Sequence, residues 1–167
     1  MTETRKYILS AATASKKLQR MAYEIVEQNM EETGELILAG IQENGLVLAN
    51  IIAGHLKEIF KGTIRVIDIT LNKRHPGEIT LSEQVNFDDT VVILIDDVTN
   101  SGKTLLYALK PFLAFHPRKI QTLTLVERSH KLFPVSSDYV GISLASTLQE
   151  HIFVEVEGDK VIGAYLV

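Results

Sequence analysis

The chain has 167 residues, 46% of them hydrophobic and 23% charged, with a formal net charge of −4 and no cysteine. That is room for a single domain, residues 1–167, with a full core and an ordinary globular composition; it leaves no disulfide, thiolate zinc site or cysteine nucleophile, and its mild acidity argues against a constitutive nucleic-acid binder. No apolar run is long enough to span a bilayer and the opening MTETRKYILS has no signal-peptide core, so a cytoplasmic protein with no membrane partner is expected.

Ser10 or Thr13 caps a first helix that runs to about Asn29, with Leu18, Met21, Ile25 and Val26 on its apolar face. Thr33 and Gly34 break that pattern. Leu36 to Ile41, LILAGI, reads as a buried strand and Gln42 to Gly45 as a tight loop. Leu46 to Phe60 reads as a helix with Leu48, Ile51, Ile52, Leu56 and Ile59 on one side. Thr63 to Leu71, TIRVIDITL, alternates as a strand does. Asn72 to Thr90 is polar, with Pro76 and Gly77 near its start, and is expected to be a long loop carrying at most short strand pieces. Val91 to Ile95 is wholly aliphatic, the mark of a central parallel strand buried on both faces. Thr104 to Leu113 is helical even with Pro111 near its end. Lys119 to Val126 and Tyr139 to Leu144 are further strands. His151 to Val156 and Val161 to Tyr165 flank Glu157, Gly158 and Asp159, a good hairpin turn. Strands alternating with helices predict an α/β fold, an open and mostly parallel twisted sheet with helices on both faces. Ligands in such folds sit beyond the strand C-termini, where strand order reverses. The loops at Gln42 to Gly45, from Asn72 onward, and at Thr99 to Thr104 are therefore expected to converge on one crevice.

The most informative stretch is Val91 to Thr104, VVILIDDVTNSGKT. The strand runs into Asp96 and Asp97, then into small polar residues ending at Gly102; Lys103 and Thr104 open a helical pattern. Loop N–H groups and a helix end suit a phosphate. Carboxylates suit vicinal hydroxyls, which donate to anionic acceptors. The combination predicts a site for a phosphorylated sugar. Taken alone, an Asp-Asp pair is ordinarily a solvated loop and Ser-Gly-Lys-Thr a helix cap; joined to the end of a buried strand, they favour a site. A Walker A loop is excluded. It requires G-x-x-x-x-G-K-[ST], and where its first glycine should stand this chain has Asp97, whose carboxylate would repel a triphosphate.

The segment resembles the phosphoribosyl-pyrophosphate (PRPP) motif of type I phosphoribosyltransferases. Ile93, Leu94, Ile95, Asp96, Asp97, Val98, Ser101, Gly102 and Thr104 all fit it. Beyond the motif, the chain is similar to the bifunctional pyrimidine-operon attenuation regulators/uracil phosphoribosyltransferases. ILSAATASKKLQRMAYEIVEQN looks like their opening helix and LILAGIQENGLVLA like their pyrophosphate-loop segment. IDITL looks like their third strand, and TLVERSHKLFPVSSDYVGISLAS like the segment between their late strands. Similarity is least from Asn72 to Asp89. The resemblance implies the type I phosphoribosyltransferase fold, with a small hood formed by the terminal segments. It implies transfer of ribose 5-phosphate from PRPP to a nucleobase, with release of pyrophosphate. Mg2+ would be carried by the pyrophosphate and ribose oxygens. The transition state would be oxocarbenium-like, served mostly by positioning and charge stabilisation. Asp96 and Asp97 would hold the ribose 2′- and 3′-hydroxyls. Backbone N–H groups from Thr99 to Thr104, with the hydroxyls of Thr99, Ser101 and Thr104, would hold the 5′-phosphate. Lys103 either adds charge or is a solvated first-turn lysine. A homodimer or larger homo-oligomer is also implied.

Departures from the pattern carry information too. The uracil relatives have a basic residue just before the glycine of the pyrophosphate loop, Gln42 to Gly45. Here Asn44 holds that position and Glu43 precedes it, and a carboxylate beside pyrophosphate needs magnesium or an arginine to compensate. Asn72 to Thr90 resembles the mobile catalytic loop but is shortened. Its Lys73 and Arg74 are candidates for pyrophosphate contacts, or else exposed loop cations. Both departures weigh more against turnover than against binding. As to the base, purine-salvage relatives use an aspartate where Asn100 stands, and asparagine exchanges no proton at neutral pH. They place a lysine where Glu127 stands, which is an acceptor in place of a donor. Uracil, whose ring N–H groups donate, therefore fits better than a 6-oxopurine, although the uracil relatives carry a tyrosine at the Asn100 position. Arg128, with the backbone around Leu148 and Gln149, would complete the base pocket; otherwise Arg128 and His130 form a solvated polar loop.

A second class stays open, a PRPP- or nucleotide-responsive regulator that binds pyrimidine-operon RNA. The attenuator relatives carry a threonine and a histidine on the first helix, where this chain has Gln19 and Tyr23. The late segment keeps Arg128, His130 and Lys131 but has Ser136 and Ser137 where cations would serve phosphates. RNA is the less favoured partner. A third alternative is a PRPP-binding protein with little turnover.

Overall fold

The computed structural model describes residues 4–32, 34–147 and 149–167. Thr33 and Leu148, both invoked above, lie outside the described residues. In chain order the elements are β1 (Lys6–Ser10), α1 (Ala11–Gln28), β2 (Glu35–Ile41), α2 (Asn44–Ile59), β3 (Thr63–Leu71), β4 (Ile79–Leu81), β5 (Val91–Thr99), α3 (Lys103–Ala108), α4 (Lys110–Leu113), β6 (Lys119–Arg128), β7 (Tyr139–Leu144), β8 (Ile152–Glu157) and β9 (Lys160–Leu166). The larger sheet has the order β4-β3-β2-β5-β6-β7, the smaller β1-β9-β8. In the larger sheet β2, β3, β5, β6 and β7 run parallel, and only the edge strand β4 is antiparallel, against β3. The smaller sheet is antiparallel and joins the first strand to the last hairpin, as a hood of terminal segments requires.

The centre of the larger sheet follows from composition. Leu36 to Ala39 and Val91 to Ile95 have no exposed surface, so both faces of β2 and β5 are covered. Alternation along the strands then divides their side chains between two cores. On one face Leu36, Leu38, Ile93 and Ile95 pack with Leu18, Met21 and Ile25 of α1 and Leu48, Ile52 and Leu56 of α2. The hood closes on the same core through Leu9, Val154, Val161 and Ala164. On the other face Ile37, Ala39, Val92 and Leu94 pack with Leu105, Ala108 and Phe112. Phe87, at the end of the polar connection after β4, anchors there edge-on to Phe112, with ring centroids 4.8 Å apart.

Four local differences from the sequence expectations have physical causes. β1 is a strand because Lys6 and Tyr7 pair with Leu166 and Tyr165, partners at the far end of the chain. Ser10 then caps α1, accepting the Thr13 N–H at 3.1 Å. β5 does not stop at Ile95. Its pairing with β2 ends at Gly40↔Ile95, but β6 continues alongside through Asp96↔Thr124 and Thr99↔Glu127, so the acidic pair lies within a strand. α2 begins at Asn44, which takes Asn44 and Gly45 into its first turn. Pro111 cannot donate to a helical carbonyl; the preceding turn tightens, with Leu109 N–H donating to Leu106 O and Phe112 N–H to Leu109 O, and the helix divides into α3 and α4.

Gly40 and Gly45 set the junction at the site. A Cβ on Gly40 would lie 2.6 Å from Leu46 Cα, and one on Gly45 would lie 2.5 Å from the Ile95 carbonyl oxygen. Backbone meets backbone there, and neither side can yield. Gly45→Ala is expected to cost about 1–3 kcal/mol, the range for overpacking. Gly54→Ala, in the same helix with nothing within 4 Å of its Cβ position, should not destabilise. Urea denaturation of the two variants checks the contrast.

Candidate functional site

The C-terminal ends of β2, β3 and β5 meet the hood around a cavity of about 490 Å³. Its wall is Asn44, Lys73, the run from Asp96 to Leu105, and Ile152, Phe153 and Val154 of β8. Asp96 is buried at 1% exposure. Its Oδ1 accepts from Lys73 Nζ at 2.9 Å and from the Asp97 N–H at 2.9 Å. Lys73 Nζ also lies 3.6 Å from Asp97 Oδ1. The Asn44 amide donates both hydrogens: to Asp97 Oδ2 at 3.0 Å and to the Val154 carbonyl at 3.0 Å. One side chain thus ties α2, the acid pair and the hood together. Gln42, Glu43, Asn44, Lys73 and Asp97 line a shallower recess of about 290 Å³ beside the main cavity. Gln42 is anchored by its side chain to Asp68 Oδ2 at 2.8 Å, and Glu43 is exposed.

After β5 the chain turns through Asn100 and Ser101. Gly102 has φ +87°, a left-handed conformation, and precedes α3. A Cβ there would lie 3.2 Å from the carbonyl oxygens of Phe133 and Val135. α3 has six residues, too short for a substantial macrodipole, so the donors this end offers are the loop's own N–H and hydroxyl groups and the Lys103 ammonium. Thr99, Ser101, Lys103 and Thr104 all reach the cavity wall. Lys103 Nζ donates to the Arg74 carbonyl at 3.5 Å. Arg74 itself is exposed and is absent from the wall, unlike its neighbour Lys73.

Glu127 and Arg128, expected beside the base, have other duties. Glu127 Oε1 accepts the Ser137 N–H at 2.9 Å and Lys131 Nζ at 3.0 Å. That oxygen is no open acceptor. Arg128 is buried at 3% exposure, not solvated; it donates to Ser146 Oγ at 2.6 Å, Glu150 O at 2.6 Å and Asn100 Oδ1 at 3.4 Å, and to Thr147 O. Neither residue is in the cavity wall. These contacts also engage the cations that a late RNA-binding segment would need, Arg128 and Lys131. Ile152, Phe153 and Val154 were not among the expected site residues. The hairpin is legible in the sequence, but nothing local says that it roofs the acid pair.

Burial pushes the Asp96 carboxyl up to about 8, with the Asp97 charge adding to the rise and Lys73 opposing it. Burial pulls the Lys73 ammonium down, but the Asp96 and Asp97 charges outweigh it, and its affinity for a proton is raised overall. Because the folded-state value for Asp96 lies above its unfolded value of 3.8, its proton stabilises the fold fully below that unfolded value, and the contribution is lost as pH rises through about 8. Asp96→Asn should therefore melt with a shallower fall in Tm between about pH 6 and 9 than the unsubstituted chain. The difference across that window should reach at least about 2–4 °C, the equivalent of ~1 kcal/mol in a chain of this size. Parallel Tm profiles would show that Asp96 does not titrate there.

A parallel sheet whose carboxylates and hydroxyl-rich loop share one crevice defines an α/β protein built to handle a sugar phosphate. The chain belongs to the phosphoribosyl transferase domain family, whose model matches residues 5–159. It is thereby a transferase of the pentosyl class. A bifunctional protein PyrR of Ligilactobacillus salivarius is 35% identical over 164 residues, covering 91% of this chain and 92% of that one. Another, of Pelotomaculum thermopropionicum, is 33% identical over 173 residues, covering 96% and 95%. Among solved structures, a hypoxanthine-guanine phosphoribosyltransferase of Bacillus anthracis superposes with a TM-score of 0.73 at 20% identity, covering 90% of this chain and 88% of that one. A Trypanosoma cruzi hypoxanthine phosphoribosyltransferase gives 0.77 at 15% identity, covering 95% and 90%. These two likenesses are of fold. None of the helices is long and apolar enough to cross a membrane, among the described residues.

Proposed function

We propose that the chain transfers ribose 5-phosphate from PRPP to uracil, releasing pyrophosphate. The observation that carries this is the single cavity in which Asp96, Asp97 and Lys73 face the Thr99 to Thr104 loop beneath β8. Asp96 and Asp97 accept from the ribose hydroxyls through their side-chain oxygens. The hydroxyls and N–H groups of Thr99 to Thr104 hold the 5′-phosphate. Lys73 stands between the acid pair and the recess at Gln42 to Asn44, where its charge can meet the departing pyrophosphate. In the reaction the anomeric C–O bond breaks, pyrophosphate takes its electron pair, and a ring nitrogen of the base forms the new bond and gives up its proton. Holding the two reactants in line and opposing the charge that moves between them is the protein's share.

Mg2+ fits this arrangement as a companion of the substrate. Asp96 and Asp97 supply two neighbouring carboxylates, and no group of three or more metal-ligating side chains accompanies them among the described residues. A cation would take its remaining oxygens from PRPP, and when bound it would neutralise the leaving pyrophosphate. Uracil is preferred over a 6-oxopurine because Asn100, held by Arg128 at 3.4 Å, cannot exchange a proton, and because of the resemblance to uracil phosphoribosyltransferases. Glu127 no longer contributes to that preference. The same resemblance supports a cytoplasmic homo-oligomer, with residues 1–167 acting as one domain.

Pyrophosphate release should be fastest with uracil in a screen against orotate, guanine, hypoxanthine, xanthine and adenine. Faster turnover of guanine or hypoxanthine would overturn the choice of base. Gly102→Val should abolish Mg-PRPP binding in calorimetry, since a β-branched residue is strained at φ +87° and meets two carbonyls. Unchanged affinity in a folded Gly102→Val variant would remove the loop from the site.

A further inference from the structure

Behind the Thr99 to Thr104 loop lies a layer of polar contacts set back from the cavity wall. The connection between β6 and β7 folds back on the loop: the N–H groups of Leu132 and Phe133 both donate to Ser101 O at 3.0 Å. Its last residues are fixed by Ser137, whose N–H donates to Glu127 Oε1 at 2.9 Å while Lys131 Nζ holds the same oxygen from the other side at 3.0 Å. The Ser137 hydroxyl stands between two others, 2.9 Å from Thr124 Oγ1 and 3.4 Å from Thr99 Oγ1. Thr99 is 2% exposed and forms part of the cavity wall, and Thr124 is fully buried.

We propose that Ser137 and Glu127 are positioning residues that aim the Thr99 hydroxyl, as a donor, at an anionic oxygen in the cavity. The proposal rests on the assignment of Thr99 to Thr104 to the 5′-phosphate of PRPP. Counting hydrogens excludes the inward direction and permits the outward one. A hydroxyl has one to give and can accept from others. Among the described residues, Ser137 is the one hydrogen-bond partner of the Thr124 side chain. Were the chain to run inward, Thr99 to Ser137 to Thr124, the Thr124 hydrogen would be left without an acceptor inside the sheet, which is costly. Run outward, Thr124 donates to Ser137, Ser137 donates to Thr99, and the Thr99 hydrogen is left for the cavity. A phosphate oxygen there completes the series, and each bond polarises the next. Glu127 holds the middle hydroxyl in place by binding its backbone, and Lys131 neutralises the carboxylate that does so.

The test is calorimetry on the full chain with three ligands: Mg-PRPP, ribose 5-phosphate, and pyrophosphate, which lacks the 5′-phosphate. Ser137→Ala should weaken PRPP and ribose 5-phosphate by about threefold to tenfold, the worth of one neutral hydrogen bond, and leave pyrophosphate unchanged. Ser137→Thr, which restores the hydroxyl, should restore the affinity. Thr124→Val, close to isosteric, should show the same pattern more weakly and serves if Ser137→Ala fails to fold. Glu127→Ala should raise KM for PRPP and leave KM for the base unmoved. Equal weakening of all three ligands, no weakening at all, or a rise in KM for the base instead of PRPP would overturn the proposal. If the unsubstituted chain binds pyrophosphate but neither 5′-phosphate ligand, the loop assignment itself falls and this proposal with it.

Discussion

Where α2 begins, its backbone lies directly on the backbone of β5. A side chain at Gly45 would put its Cβ 2.5 Å from the Ile95 carbonyl oxygen, and one at Gly40 would strike the first turn of α2 at 2.6 Å. Only because both positions are glycine can the helix start at the level where β2 ends. β2 and β5 stop pairing at Gly40↔Ile95, while β5 goes on beside β6 to Thr99↔Glu127. The helix leaving β2 packs in the core that holds α1, and the helix leaving β5 packs in the other. That divergence opens the crevice at which open parallel sheets bind their ligands. Without the close approach, Asn44 could not reach Asp97, and the crevice floor would not carry the acid pair.

The charges of the site follow from that geometry. Asp96 continues a strand flanked by β6 and covered by α2, so its carboxyl is dry, and Asp97 beside it adds repulsion. Lys73 relieves both from the end of β3. Burying an ion pair gains little net stability, yet removing one partner is costly, so the trio is better understood as a constraint on position than as a source of stability. The Asn44 amide does the equivalent for the hood. It satisfies one acceptor on β5 and one on β8 and so fixes the height of the cavity roof above its floor. The basic residue expected from the uracil relatives at this position would give up that paired contact in exchange for charge.

The parts legible in the sequence were those that local chemistry decides. Val91 to Ile95 is aliphatic without a break, and only a strand covered on both faces uses such a run. Ser10 is a good helix cap, and Gly158 in its left-handed turn closes the last hairpin. The parts that stayed hidden depend on partners distant in sequence. Lys6 to Ser10 is too short for its Tyr7 and Ile8 to mark a strand alone, and it is held as one by pairing with β9. Asp96 and Asp97 are poor strand residues held in one by β6, a tertiary override of propensity. The convergence of Asn44, Lys73 and the Thr99 to Thr104 loop was expected from strand alternation alone, since parallel strands must end on one side. The roof formed by β8 was not, because a hairpin carries no mark of where it docks.

Glu127 and Arg128 show why residue type alone misplaces roles at such a site. A carboxylate and a guanidinium at the end of β6 can serve a ligand or the fold, and burial decides between the two. At 8% and 3% exposure, both must find partners inside the protein. Glu127 finds them in Ser137 and Lys131, Arg128 in Ser146, Thr147, Glu150 and Asn100. Groups whose capacity is already taken can only shape a pocket; groups with a donor or acceptor to spare can bind in it. The Arg128 guanidinium, with its several rigid donors, is suited to pin the 146–150 segment against the Asn100 turn at once. On that criterion Glu127 and Arg128 shape the crevice, while Asp96, Asp97, Lys73 and the Thr99 to Thr104 loop line it. That lining sets hydroxyl and ammonium donors opposite side-chain oxygen acceptors.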